Sequence, residues 1–154
     1  MKKLFILLII GWMSMVNEVL GQEKIFINAG WCFGSNSARA KVSVDFCQNY
    51  GLVGAGLMIP SGINKTLTAE THVGATIAIG RFMRVSPRAI FAYEYGTVDK
   101  TSYFATGIGI DVLIQIIQNL GVNFGYTYSI RPFCPEPLNG VSEGYLGATL
   151  IIHH

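Results

Sequence analysis

From Lys24 onward, apolar residues alternate with small or polar ones in runs bounded by Gly, Pro, Asn and Ser, the period of a strand with two chemically different faces. The clearest run sets Leu120, Val122, Phe124, Tyr126, Tyr128 and Ile130 against Gly121, Asn123, Gly125, Thr127 and Ser129. Val73, Ala75, Ile77 and Ile79 alternate in the same way, as do Ala89, Phe91, Tyr93 and Tyr95, and Val42, Val44 and Phe46 oppose Lys41, Ser43 and Asp45. The pattern predicts eight strands, near 24–32, 39–47, 51–59, 69–82, 88–97, 102–116, 120–130 and 143–152. In one of them, residues 111–120 also fit helical spacing through Ile110, Leu113, Ile114 and Ile117; β-branched richness and continuity with Phe104 to Ile110 favour a strand.

The predicted connections alternate in length. Those at 48–50, 83–87 and 117–119 are tight, whereas 33–38, 60–68, 98–101 and 131–142 are mostly longer and carry the turn formers. An even strand count, short turns at one end and longer loops at the other predict an all-β fold: an eight-stranded antiparallel up-and-down transmembrane β-barrel. Alternation alone also fits a soluble, secreted lipocalin-like barrel that binds a ligand inside. The polar face separates the two. It offers Gly54, Gly56, Gly74, Gly80, Gly107, Gly109, Gly121, Gly125 and Gly147 where a solvated face needs Lys and Glu, and glycine suits the narrow inside of a small barrel. Charged residues make up 13% of the chain, against roughly 25% in soluble proteins. Trp31, Tyr93, Tyr95, Phe104, Tyr126 and Tyr128 lie on the apolar face toward the loop ends, where an aromatic belt meets a membrane interface.

Upstream, Met1-Lys2-Lys3 precedes an apolar run from Leu4 to Met15, and Val19-Leu20-Gly21 precedes Gln22. This is the order of a secretory signal peptide at 1–21, with the barrel at 22–154. The run is too short for a membrane-spanning helix. After removal of Lys2, Lys3 and Glu18, nine basic and eight acidic side chains remain, so no electrostatic footprint for nucleic acid exists. No metal-ligand spacing occurs and no cofactor is expected.

Leader, alternating strands, short turns and a glycine-lined polar face, with stretches such as Gly121-Val122-Asn123-Phe124-Gly125-Tyr126-Thr127-Tyr128, resemble the small outer-membrane barrels of Gram-negative bacteria, the group of OmpX and the OmpA membrane domain. The resemblance implies the bacterial cell outer membrane, outer-membrane lipid as surroundings, an N-terminus in the periplasm, and no single activity. The chain departs from the group by ending Ile151-Ile152-His153-His154 rather than in an aromatic residue.

If the polar face is the lumen, its ions are Lys41, Asp45, Glu70, Arg88, Glu94 and Asp111, joined by His72, with Arg39 and Arg81 near strand ends. Unpaired charges in so narrow a space are costly, so Arg88 and Lys41 are expected to meet carboxylates such as Glu94, Asp111 and Asp45. A structural plug is one reading of this network and a narrow solute pore is the alternative. Glu70 and His72, with Ser61, Ser102 and Ser142 near the same rim, form the only catalytic constellation in sight. It lacks a nucleophile elbow, and no enzyme is expected. Topology places Cys32 and Cys134 at the outer rim and Cys47 at the opposite end; a Cys32–Cys134 bridge and three reduced thiols are the two alternatives. The expected role is structural or recognition by a monomer, with a surface ligand contacted through 60–68 and 131–142.

Overall fold

The structure, a computed structural model, describes residues 23–34, 37–61, 66–96, 100–132 and 140–153. The predicted leader at 1–21, most of the 131–142 loop including Cys134, and residues 62–65 of the 60–68 loop lie outside the described residues. Nine strands form one antiparallel sheet: β1 (Lys24–Gly34), β2 (Ser37–Gln48), β3 (Gly51–Pro60), β4 (Thr66–Ala75), β5 (Ile77–Ile79), β6 (Met83–Gly96), β7 (Ser102–Ile117), β8 (Leu120–Ile130) and β9 (Val141–His153). Neighbours in the sheet are neighbours in the chain, except that β1 pairs with β9 along its whole length, from Lys24 opposite His153 to Gly34 opposite Glu143. Pairing of β4 with β6 completes the closure, so no main strand is left with a free edge.

β4 and β5 are one stave of an eight-stave barrel. Both pair with β6 in the same register, Gly74 opposite Arg88 and then Ile77 opposite Val85. The ladder skips the intervening positions beside Pro87, which has no N–H to donate, and the Thr76 amide turns instead to the Tyr50 carbonyl at 2.8 Å. This corrects the expected turn at 83–87. Pro87 sits inside β6 opposite Ile110, and the chain reverses at Gly80, Arg81 and Phe82, where Gly80 has φ +67°, a conformation that favours glycine. Residues 111–117 are strand, paired to β6 and β8, with a register irregularity between Gln115 and Ile117.

Alternation sorts the side chains as lipid and a narrow lumen demand. Val42, Phe46, Val53, Leu57, Phe91, Ile108, Phe124 and Leu146 point outward and are exposed. A belt of this extent has no place on a soluble protein. Lys41, Asp45, Glu70, His72, Arg88 and Glu94 point inward and are buried, the inverse of a lipocalin. Every backbone group within such a belt needs a partner, and a closed ladder supplies it. Among the described residues no helix is long and apolar enough to cross a membrane.

Candidate functional site

The lumen is built in tiers. At the turn end, Phe26, Cys47, Leu113 and Ile151 form an apolar floor, with the Arg84 guanidinium 5.8 Å from the centre of the Phe26 ring. Above it, Asn28 of β1 uses both ends of its amide. Its Nδ2 donates to Ser43 Oγ at 3.1 Å and Asp45 Oδ2 at 2.8 Å, and its Oδ1 accepts from Thr149 Oγ1 at 2.7 Å and Asn123 Nδ2 at 3.1 Å. Four strands are thereby fastened through one side chain whose hydrogen-bonding capacity is filled.

The charged tier follows. Asp45 Oδ1 meets His72 Nε2 at 2.7 Å, and the other ring nitrogen lies 3.7 Å from Glu70 Oε1. Glu70 pairs with Lys41, both side chains almost wholly buried, while Lys41 Nζ also lies 5.5 Å from the centre of the Tyr145 ring. Arg88 grips Asp111 with two nitrogens, at 2.8 and 3.0 Å, the fork geometry that makes Arg–carboxylate pairs strong. Nearer the loops, Arg39 pairs with Glu143 and donates to Thr68 Oγ1 at 2.7 Å. Glu94 accepts from Arg131 at 2.6 Å, beyond the end of β8, and Arg131 lies 6.0 Å from the centre of the Tyr103 ring.

The seven lumenal residues singled out from sequence therefore face one interior, but they do not all meet one another. Lys41 takes Glu70 rather than Asp45, Asp45 takes His72, Arg88 takes Asp111, and Glu94 takes Arg131. Arg39, expected near a strand end, joins the network through Glu143, and Asn28, Asn123, Thr149 and Glu143 were missed as members. Their inward parity was visible in the alternation, yet the three neutral residues carried no charge to draw notice, and Glu143 opened the last segment.

Glycine makes the central pair possible. Gly54 stands on β3 between Asp45 of β2 and His72 of β4, and a Cβ there would collide with both the Asp45 Oδ1 and the His72 Nε2 atoms. One cavity among the described residues of this network is small. Asn28, Asp45, Arg84, Asp111 and Asn123 contribute to a cavity of about 20 Å³, room for one water.

Trp31, Tyr93, Phe104, Tyr126 and Tyr128 are exposed on the outer face in the loop half of their strands, and Tyr95 is half-buried there. The Tyr93 and Phe104 rings meet edge to face at 5.3 Å. A second set of aromatics, Phe46, Tyr50 and Phe82, is exposed at the turn end. Ser61 donates to the Ala38 carbonyl, and among the described residues no seryl hydroxyl is hydrogen-bonded to His72. Cys32 and Cys47 are buried at opposite ends. The partner considered for Cys32, Cys134, lies outside the described residues. No group of three His, Cys, Asp or Glu side chains suited to a metal occurs among the described residues.

No family model and no curated protein matches the chain in sequence. Its backbone is similar to solved structures. The N-terminal β-barrel domain of Pseudomonas aeruginosa OprF superposes with a TM-score of 0.69 at 13% identity, over 86% of this chain and 99% of that one. The fold is that of the small outer-membrane β-barrels. A major outer-membrane protein of Thermus thermophilus matches with a TM-score of 0.55 at 12% identity, over 84% of this chain and 99% of its own. The Yersinia pestis outer-membrane protein Ail, in a bilayer nanodisc, matches with a TM-score of 0.53 at 12% identity, covering 86% and 99%. This chain carries the apolar outer belt that a barrel embedded in lipid requires.

Proposed function

We propose that the protein is a non-enzymatic, monomeric outer-membrane barrel, released from a leader at 1–21, whose plugged lumen serves as a rigid scaffold for surface loops. Contact with a surface ligand falls to the 60–68 and 131–142 connections. The observation that carries this reading is the packed interior: among the described residues, four ion pairs and the Asp45–His72 contact, each with at least one partner almost fully buried, lie around a cavity that admits one water. A lumen saturated by its own side chains transmits no solute stream, and what remains variable is the set of connections held at its loop end.

Two measurements on the same protein test the proposal. In planar bilayers, the inserted barrel shows no steady current; a constant, charge-selective conductance overturns the plug and restores the narrow pore. On intact cells, added protease nicks the chain within 131–142 while the strands survive. Protection there, with cleavage only after the outer membrane is breached, overturns surface display.

A further inference from the structure

Among the described residues, Arg39, Lys41, Arg88 and Arg131 each hold a carboxylate. At the turn end Lys24, Arg81 and Arg84 make no ion pair among those residues. Lys24 and Arg84 sit on the inward parity of β1 and β6 and flank Phe26, which follows Lys24 by two residues and has the Arg84 guanidinium 5.8 Å from its ring centre. Of the neighbouring carboxylates, Asp45 holds His72 and Asn28 and Asp111 holds Arg88, while Glu23, which lines the same rim as Lys24, accepts from the neutral Gln48 amide at 2.9 Å and keeps its charge. Lys24 also edges an apolar groove of about 420 Å³ lined by Ile25, Phe46, Leu52, Val53 and Val73. Because Leu52 faces inward and Ile25, Phe46, Val53 and Val73 face outward, this groove crosses the barrel's rim.

We propose that the turn-end rim is a seat for one anionic glycerophospholipid of the periplasmic leaflet. Its phosphate lies between Lys24 and Arg84, and one acyl chain lies over the rim along the groove. The two features are complementary: an excess of positive charge at the mouth, with Glu23 the one carboxylate beside it among the described residues, and an apolar channel leading from it to the lipid-facing wall. Two cations near one headgroup favour a net negative lipid over a zwitterionic one. The inference rests on the membrane-barrel reading, because only that reading brings phospholipid to the rim.

The test is native mass spectrometry of the protein released from nanodiscs containing equal phosphatidylglycerol and phosphatidylcholine. Wild type retains one phosphatidylglycerol in preference to phosphatidylcholine. Lys24→Gln and Arg84→Gln each reduce that preference about fivefold, the effect of one cation at a membrane surface. Val53→Trp, which fills the groove and leaves the charges untouched, lowers retention of both lipids. Equal retention of the two lipids by wild type, or an unchanged preference in both Gln variants, overturns the seat. Heat-modifiable migration is checked on every variant. Its absence from wild type overturns the barrel reading and the seat with it, whereas its presence without lipid preference removes the seat alone.

Discussion

Lys41 and Glu70 make the sharpest demand on the lumen, because water cannot screen a pair whose side chains are 2% and 1% exposed. In Glu70→Gln, Lys41 keeps its charge and loses its carboxylate partner, with the Tyr145 ring face at 5.5 Å left as partial compensation. Breaking one side of a buried pair costs about 3–5 kcal/mol. With a denaturant slope of roughly 2 kcal/mol per molar urea, that is a fall in midpoint of about 2 M. The reverse variant, Lys41→Met, costs less, because Glu70 keeps the polar His72 ring nitrogen 3.7 Å away. Replacing both, as Lys41→Met with Glu70→Leu, removes the uncompensated charge and recovers most of the loss, since apolar substitutes for a buried pair are often neutral or stabilising by about 1–4 kcal/mol. The assay is urea unfolding of the refolded barrel in vesicles, followed by Trp31 fluorescence and heat-modifiable migration. A double variant as unstable as the sum of the two single ones would refute the coupling.

Two further substitutions probe the faces separately. Ile108→Arg places a cation mid-belt on the outer face, where the native side chain is 69% exposed; it lowers stability by about 2–4 kcal/mol, while Ser102→Arg at the loop rim costs about 0–1. Equal effects of the two in the same urea assay contradict a membrane belt. Gly54→Ala drives a methyl group onto the Asp45–His72 pair and within 2.8 Å of the Val44 carbonyl oxygen. It costs about 1–3 kcal/mol by overpacking, and the His72 ring signals in NMR shift as its contact with Asp45 opens. An unchanged midpoint with unchanged His72 signals rejects that account of the glycine.

Much of the architecture was legible because lipid and lumen impose opposite chemistry on alternate residues. Each strand therefore announces its two faces, and the ambiguous 111–120 stretch resolves once β6 and β8 are both available to pair with it. Local signals misled at Pro87: proline reads as a turn former, yet here it costs only the ladder positions between β4 and β5. Partner choice within the lumen was hidden for a different reason. For every pair but Arg88–Asp111, which joins the adjacent β6 and β7, it depends on the stagger between strands two staves apart, which no single strand encodes.

That stagger leaves a trace in the glycines. Gly54 separates Asp45 from His72, and Gly56 separates Ser43 from Glu70, the residue Lys41 reaches from the same strand as Ser43. A side chain on β3 at either place would stand between the partners; a Cβ on Gly56 would lie 3.2 Å from Glu70 Oε1. On β8, Gly125 lies opposite Asp111, where a Cβ would strike the carboxylate that grips Arg88. An inward-facing glycine in so narrow a barrel is thus more than an economy of space. At Gly54 and Gly56 it marks a gap through which side chains of the two flanking strands pair. There, glycine position read together with strand register identifies which buried charges can meet.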